Sequence, residues 1–172
     1  MTGNAPLQDL APMLKALLID RFKMKAHFED RPVNAYTLVA AKPKLKKADP
    51  SERAGCKQDP GAVPATITTP MNAFTCTNTT MAELVKNMPI WANAYVDHPV
   101  IDTSGLQGGW DFTLMWTPRG ALPQAQPGQA VPIDPGGLTF FEGGEKLGLK
   151  LEKGSHPMPV LVIDHAEEKP ID

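Results

Sequence analysis

The side chains able to do chemistry are few, and they fall in small groups. His98, Asp102 and Ser104 lie close together in the chain and are the residue types of a hydrolase: an imidazole base, a carboxylate and a hydroxyl nucleophile. The serine, however, is not in a Gly-x-Ser-x-Gly elbow. Thr103-Ser104-Gly105 opens a stretch continuing through Gly108 and Gly109, and a turn of this composition accounts for Ser104 without catalysis. Metal chemistry has a similar standing. Asp97-His98 and Asp164-His165 are Asp-His neighbours, and His27 and Glu29 alternate on one strand face. Oxygen and imidazole ligands would converge if those segments packed together, but their spacing matches no metal-binding pattern, so no metal ligand and no cofactor is assigned.

Recognition rather than catalysis is the other use of these side chains. Trp91 and Tyr95, with His98 just beyond them, stand at a helix exit beside Pro89 and are the candidate ligand-binding residues, since aromatic faces stack on flat ligand surfaces. Trp110 and Trp116 share one face of an alternating strand and read as core. Lys42, Lys44, Lys46 and Lys47 form a basic run that reads as a solvated strand exit. With a net charge of −2 the chain has no basic field for nucleic acid. No window approaches the roughly 20 apolar residues of a membrane span.

The elements that must position these residues follow from periodicity. Leu7, Leu10, Ala11, Leu14, Leu17 and Leu18 fall on one helical face, predicting a helix over 6–20. Phe22, Met24 and Ala26 then alternate with Lys23, Lys25 and His27 as a strand, a turn is expected at Glu29-Asp30-Arg31-Pro32, and a second strand over 35–40. An offset of 125 residues brings Phe22 onto Leu147, Met24 onto Leu149, Lys25 onto Lys150, Pro32 onto Pro157 and Leu38 onto Ile163. A helix over 138–146, a strand, a Gly154-Ser155 turn and a closing strand complete that second copy. A looser third copy starts at the capping box Thr80-Met81-Ala82-Glu83 and ends in the strand Trp110–Trp116.

The expected architecture is therefore α+β, with repeated helix-strand-strand units whose helices pack on a mainly antiparallel sheet. The whole chain, 1–172, reads as a single domain with internal repeats at 6–42, 73–117 and 138–166. Cys56 and Cys76 bracket a Pro- and Thr-rich segment and are expected to pair, closing a loop within 43–72. The competing reading is two separate buried thiols. The Pro-, Gln- and Gly-rich stretch 118–137 has the composition of a flexible linker.

Five phrases in order carry a wider resemblance: Leu14–Lys25, Tyr36–Ala40, Val100–Gly108 leading into Trp110–Pro118, Leu147–Glu152, and Val160–His165. Together they resemble the soil-associated, mostly acidobacterial exported domain-of-unknown-function family catalogued as number 3738, over residues 8–170. The resemblance implies location more than chemistry. Members are exported, some are fused to antirepressor-type membrane metallopeptidases, and a further N-terminal segment usually precedes the part seen here. It carries over no catalytic residues. The chain departs from the family at Phe141-Glu142-Gly143-Gly144, where a good helix is normal and each glycine costs about 1 kcal/mol of helix propensity.

These readings converge on an extracytoplasmic binding or sensor module, periplasmic or secreted, recognising a protein segment or a cell-envelope ligand. The alternative is a small hydrolase, possibly metal-assisted, built on His98, Asp102 and Ser104. Met1-Thr2-Gly3-Asn4 leads straight into the amphipathic pattern, so no signal peptide is expected in the chain as it stands.

Overall fold

The structure, a computed structural model, describes residues 7–122 and 137–171. It is α+β. In chain order it comprises α1 (Leu7–Phe22), β1 (Lys25–Ala40), β2 (Lys46–Lys47), β3 (Gly55–Gln58), β4 (Asn72–Thr79), α2 (Met81–Trp91), β5 (Val100–Asp102), β6 (Trp110–Trp116), α3 (Phe140–Lys146) and β7 (Leu149–His165). One sheet has the order β5-β1-β7 and the other β2-β6-β4-β3. The chain divides into two compact units: residues 34–155, and residues 1–33 with 156–172.

The larger unit holds the core. Along α2, Met81, Leu84, Val85 and Met88 are buried at helical spacing, and along β6 Phe112, Leu114 and Trp116 are buried at strand spacing. Trp116 is only 1% exposed, and its ring lies 5.6 Å from that of Phe74 and 5.1 Å from that of Phe140. Both α2 and α3 begin with a reciprocal capping box. Thr80 and Glu83 exchange bonds at the start of α2, and Thr139 and Glu142 do so at the start of α3, satisfying amides that the first helical turn leaves free. The Gly143-Gly144 pair that weakens α3 on propensity has a packing reason. A Cβ on Gly143 would lie 2.2 Å from the Met115 carbonyl oxygen, so only glycine lets α3 approach β6 this closely.

Several local expectations change. No turn breaks the chain at Glu29-Asp30-Arg31-Pro32 or at Gly154-Ser155, because β1 and β7 are single strands of 16 and 17 residues. Proline is tolerated in a strand at an open edge, and β5 pairs with β1 only at Tyr36, Thr37 and Leu38, beyond Pro32. The offset of 125 still carries Lys25–Ala40 onto 150–165, inside β7. The strands β5 and β6, on either side of the glycine-containing turn, belong to different sheets. The strand β5 runs parallel to β1, whereas β6 is antiparallel to β4. Gly105 and Gly108, at φ +70° and +76°, supply the left-handed backbone that this change of sheet requires.

The basic run is also partly structural, since Lys46 and Lys47 form β2 and pair with Asp111 and Trp110 of β6. Cys56 and Cys76 form a disulfide directly across β3 and β4, where the two residues are register partners. The segment they bracket includes the 3-10 turn Pro60–Ala62. Arg119–Ala121 forms a second such turn at the start of the expected linker, most of which lies outside the described residues.

Candidate site around His98

A depression lined by several kinds of polar side chain lies in the larger unit. It is lined by Asn34, Ala35, His98, Lys153, Gly154 and Ser155 and has a volume of about 370 Å³. Its position follows from the pairing of β1 with β5. The Tyr36 amide donates to the Pro99 carbonyl at 2.8 Å, and Tyr36 is then in register with Val100, which holds Asp97 and His98 beside the C-terminal part of β1. Lys153 reaches the same place from β7, its ammonium 5.6 Å from the centre of the Tyr36 ring.

Next to the lining residues Ala35 and His98, their chain neighbours Tyr36 and Asp97 form a hydrogen-bonded pair. The buried Tyr36 hydroxyl donates to Asp97 Oδ1 at 3.1 Å and lies 3.3 Å from the Tyr95 carbonyl oxygen. Burial, reinforced by the Asp97 carboxylate, pushes the Tyr36 phenol above its ordinary pKa, and the Tyr36 hydroxyl holds Asp97 below the usual carboxylate range. The two shifts agree, describing a neutral phenol donating to a carboxylate. The His98 ring sits 6.1 Å from that of Tyr36, with Nε2 4.0 Å from Asp97 Oδ1. The result is a depression lined by an ammonium, an imidazole and two short polar side chains, with a carboxylate nearby that the phenol already engages.

The hydrolase constellation is not assembled. Ser104 Oγ donates to Asp102 Oδ1 at 2.6 Å, the Ser104 amide donates to the same oxygen at 2.9 Å, and the Leu106 amide donates back to Ser104 Oγ. This is a closed local turn of the kind Asp and Ser make with their own backbone. Among the described residues, His98 forms no hydrogen bond with either.

The aromatic pair also differs from expectation. Tyr95 is buried, its hydroxyl donates to the Thr117 carbonyl at 2.7 Å, and its ring packs with Phe140 and Phe141. A phenol with its polar end satisfied inside the fold is a core residue, so Tyr95 packs in the core and does not stand exposed beside Trp91. Trp91 is half-buried and stacks on Phe74 with ring centres 4.4 Å apart. Trp110 is likewise half-buried, with the Lys47 ammonium 4.3 Å from its ring centre. Of the three residues expected to bind ligand, His98 alone lines the depression. Lys153, Ser155 and Asn34 were missed because Gly154-Ser155 reads as a turn just after Lys153, and Asn34 falls before the strand expected over 35–40.

In the smaller unit, His27, Glu29 and Asp164 do converge. His27 Nδ1 lies 2.9 Å from Asp164 Oδ2, and Nε2 lies 3.7 Å from Glu29 Oε2. Arg31 meets Glu29 at 3.2 Å, so the group is an exposed ion-pair chain. Hydrogen bonding to Asp164 raises the His27 pKa, and Arg31 lowers that of Glu29. Among the described residues no three His, Cys, Asp or Glu side chains form a group able to hold a metal ion. Among them, too, no helix is long and apolar enough to cross a membrane.

No curated protein and no solved structure matches the chain. The family described as "Protein of unknown function (DUF3738)" matches over residues 2–166, nearly the whole length, and the chain belongs to that family.

Proposed function

We propose that this domain is an extracytoplasmic binding module and that its ligand seats an anionic group in the depression at His98. The observation that carries the reading is that Lys153 and His98 line one depression, while the neighbouring Asp97 carboxylate already accepts from the Tyr36 hydroxyl. An incoming carboxylate or phosphate oxygen meets donors on several sides there, as in sites that fix ligand orientation with a few convergent polar groups. Catalysis finds less support. The serine–histidine–aspartate arrangement needs the imidazole between hydroxyl and carboxylate, whereas Ser104 Oγ bonds Asp102 directly within a local turn. The disulfide supports residence outside the cytosol, periplasmic or secreted, as does the exported, soil-associated and mainly acidobacterial setting implied by the family resemblance. The matched helix–strand order at the two ends supports an origin by internal repetition.

The test is a titration with short peptides bearing a free C-terminal carboxylate, followed by the His98 imidazole resonances. A saturable shift that Lys153→Ala weakens about tenfold or more is expected, on the scale of a lost charge-assisted hydrogen bond. An unmoved His98 with carboxylate peptides and with anionic sugars alike would refute the site. Ester or amide hydrolysis abolished by Ser104→Ala would refute the non-catalytic reading.

A further inference from the structure

The smaller unit has an α-helix and two strand segments but no core: among its described side chains, none is buried. Of the ten exposed large hydrophobic residues among the described ones, nine belong to it, all except Ile90. A two-stranded ribbon is marginal alone and gains stability by burying its apolar face against a helix, yet here helix and ribbon leave much of their apolar surface open. The face is well defined. On α1, Leu10, Met13, Leu14 and Leu17 form a stripe at helical spacing, each between 47% and 59% exposed. On the ribbon, Phe28 is 70% exposed, with Leu161 and Ile163 at 53% and 59%. Between helix and ribbon runs an apolar groove of about 350 Å³, floored by Met24 and Ala26 and flanked by Leu14 and Leu18.

We infer that this face binds the same face of a second copy of the chain, forming a two-fold dimer. Its size is the first reason. Those seven partly exposed side chains leave roughly 700 Å² open, more than the ~600 Å² patch a soluble monomer tolerates and close to the ~800 Å² per partner of a standard interface. Its shape is the second. One surface carries both a ridge, the α1 stripe, and a groove beside it, so two copies related by a two-fold axis each place a ridge in the other's groove. Self-complementarity of this kind is what an isologous interface needs. Charge does not oppose the pairing, because α1 presents both Lys15 and Asp20 at exposed positions.

Sedimentation equilibrium on the full chain tests this. The wild type is expected to be dimeric at micromolar concentration. Phe28→Glu and Met13→Gln should each weaken association roughly 30-fold or more, as hot-spot truncations do. Tryptophan fluorescence checks that the larger unit stays folded, since Trp91, Trp110 and Trp116 all lie in it. Met13, 59% exposed, guards against a folding artefact at Phe28. A wild type that is monomeric to about 100 µM would overturn the inference, as would a dimer indifferent to both substitutions. So would a monomer that instead binds phosphatidylglycerol vesicles through Phe28.

Discussion

Gly143→Ala separates two opposed expectations for α3. On helix propensity alone, replacing glycine by alanine inside a helix stabilises by about 1 kcal/mol. In the fold, the new methyl would lie 2.2 Å from the Met115 carbonyl oxygen and 3.3 Å from its carbon. The obstacle is the backbone of β6, the strand that carries Phe112, Leu114 and Trp116 into the core, so it cannot swing aside as a side chain would. Relief requires α3 to retreat by about 1 Å, loosening Phe140 from Trp116 and Tyr95. Forcing a methylene into a packed site costs typically about 1–3 kcal/mol, and a backbone clash of this depth belongs at the upper end. The net change is a destabilisation of about 2 kcal/mol, or roughly 4–8 °C in Tm for a chain of this size. Gly144→Ala is the internal control. Its methyl would meet only the Leu149 carbonyl oxygen, at 3.2 Å, so the small adjustment and the propensity gain should nearly cancel. Thermal and urea unfolding of both variants, followed by tryptophan fluorescence with the disulfide intact, measures the difference. A Gly143→Ala protein as stable as the wild type would refute the claim that close approach to β6 selects glycine.

Replacing both Cys56 and Cys76 with alanine should cost about 3 kcal/mol, the chain-entropy value for a link spanning 20 residues, read as a lower urea midpoint. Intact mass under non-reducing conditions should be lighter by two hydrogens than the reduced chain. The capping glutamates give a pH dependence of fixed sign. Glu83 and Glu142 are held below the ordinary carboxylate pKa by the amides of Thr80 and Thr139, so their contribution is complete above about pH 4.3 and is lost as pH falls through their folded values. A protein carrying Glu83→Gln and Glu142→Gln should therefore lose less Tm between pH 6 and pH 3 than the wild type, and an equal loss would count against the capping account.

The residues that specify local structure were legible in the sequence because their signals are local. The Thr80–Glu83 box, the alternating Trp110–Trp116 strand and the Cys56–Cys76 pair each depend on neighbours or on a single spacing, and each is present in the fold. The continuity of β1 and β7 was hidden because Pro32 and Gly154 read locally as turn residues. What a proline costs a strand depends on whether its edge is paired, which no local window contains. The same limit explains Tyr95, whose exposure was decided by the distant Thr117 carbonyl.

From the sequence alone came the α+β class, the capped helix starts, the half-cystine pair and the strand carrying the central tryptophan, because propensity, capping and periodicity act over a few residues. Only the tertiary structure put β5 and β6 into separate sheets, brought Lys153 and His98 to the lining of one depression and left the α1 stripe uncovered. His98 and Lys153, 55 residues apart (153 − 98), come to line one depression because β1 lies between β5 and β7, a long-range arrangement that the fold supplies and no short stretch of residues encodes.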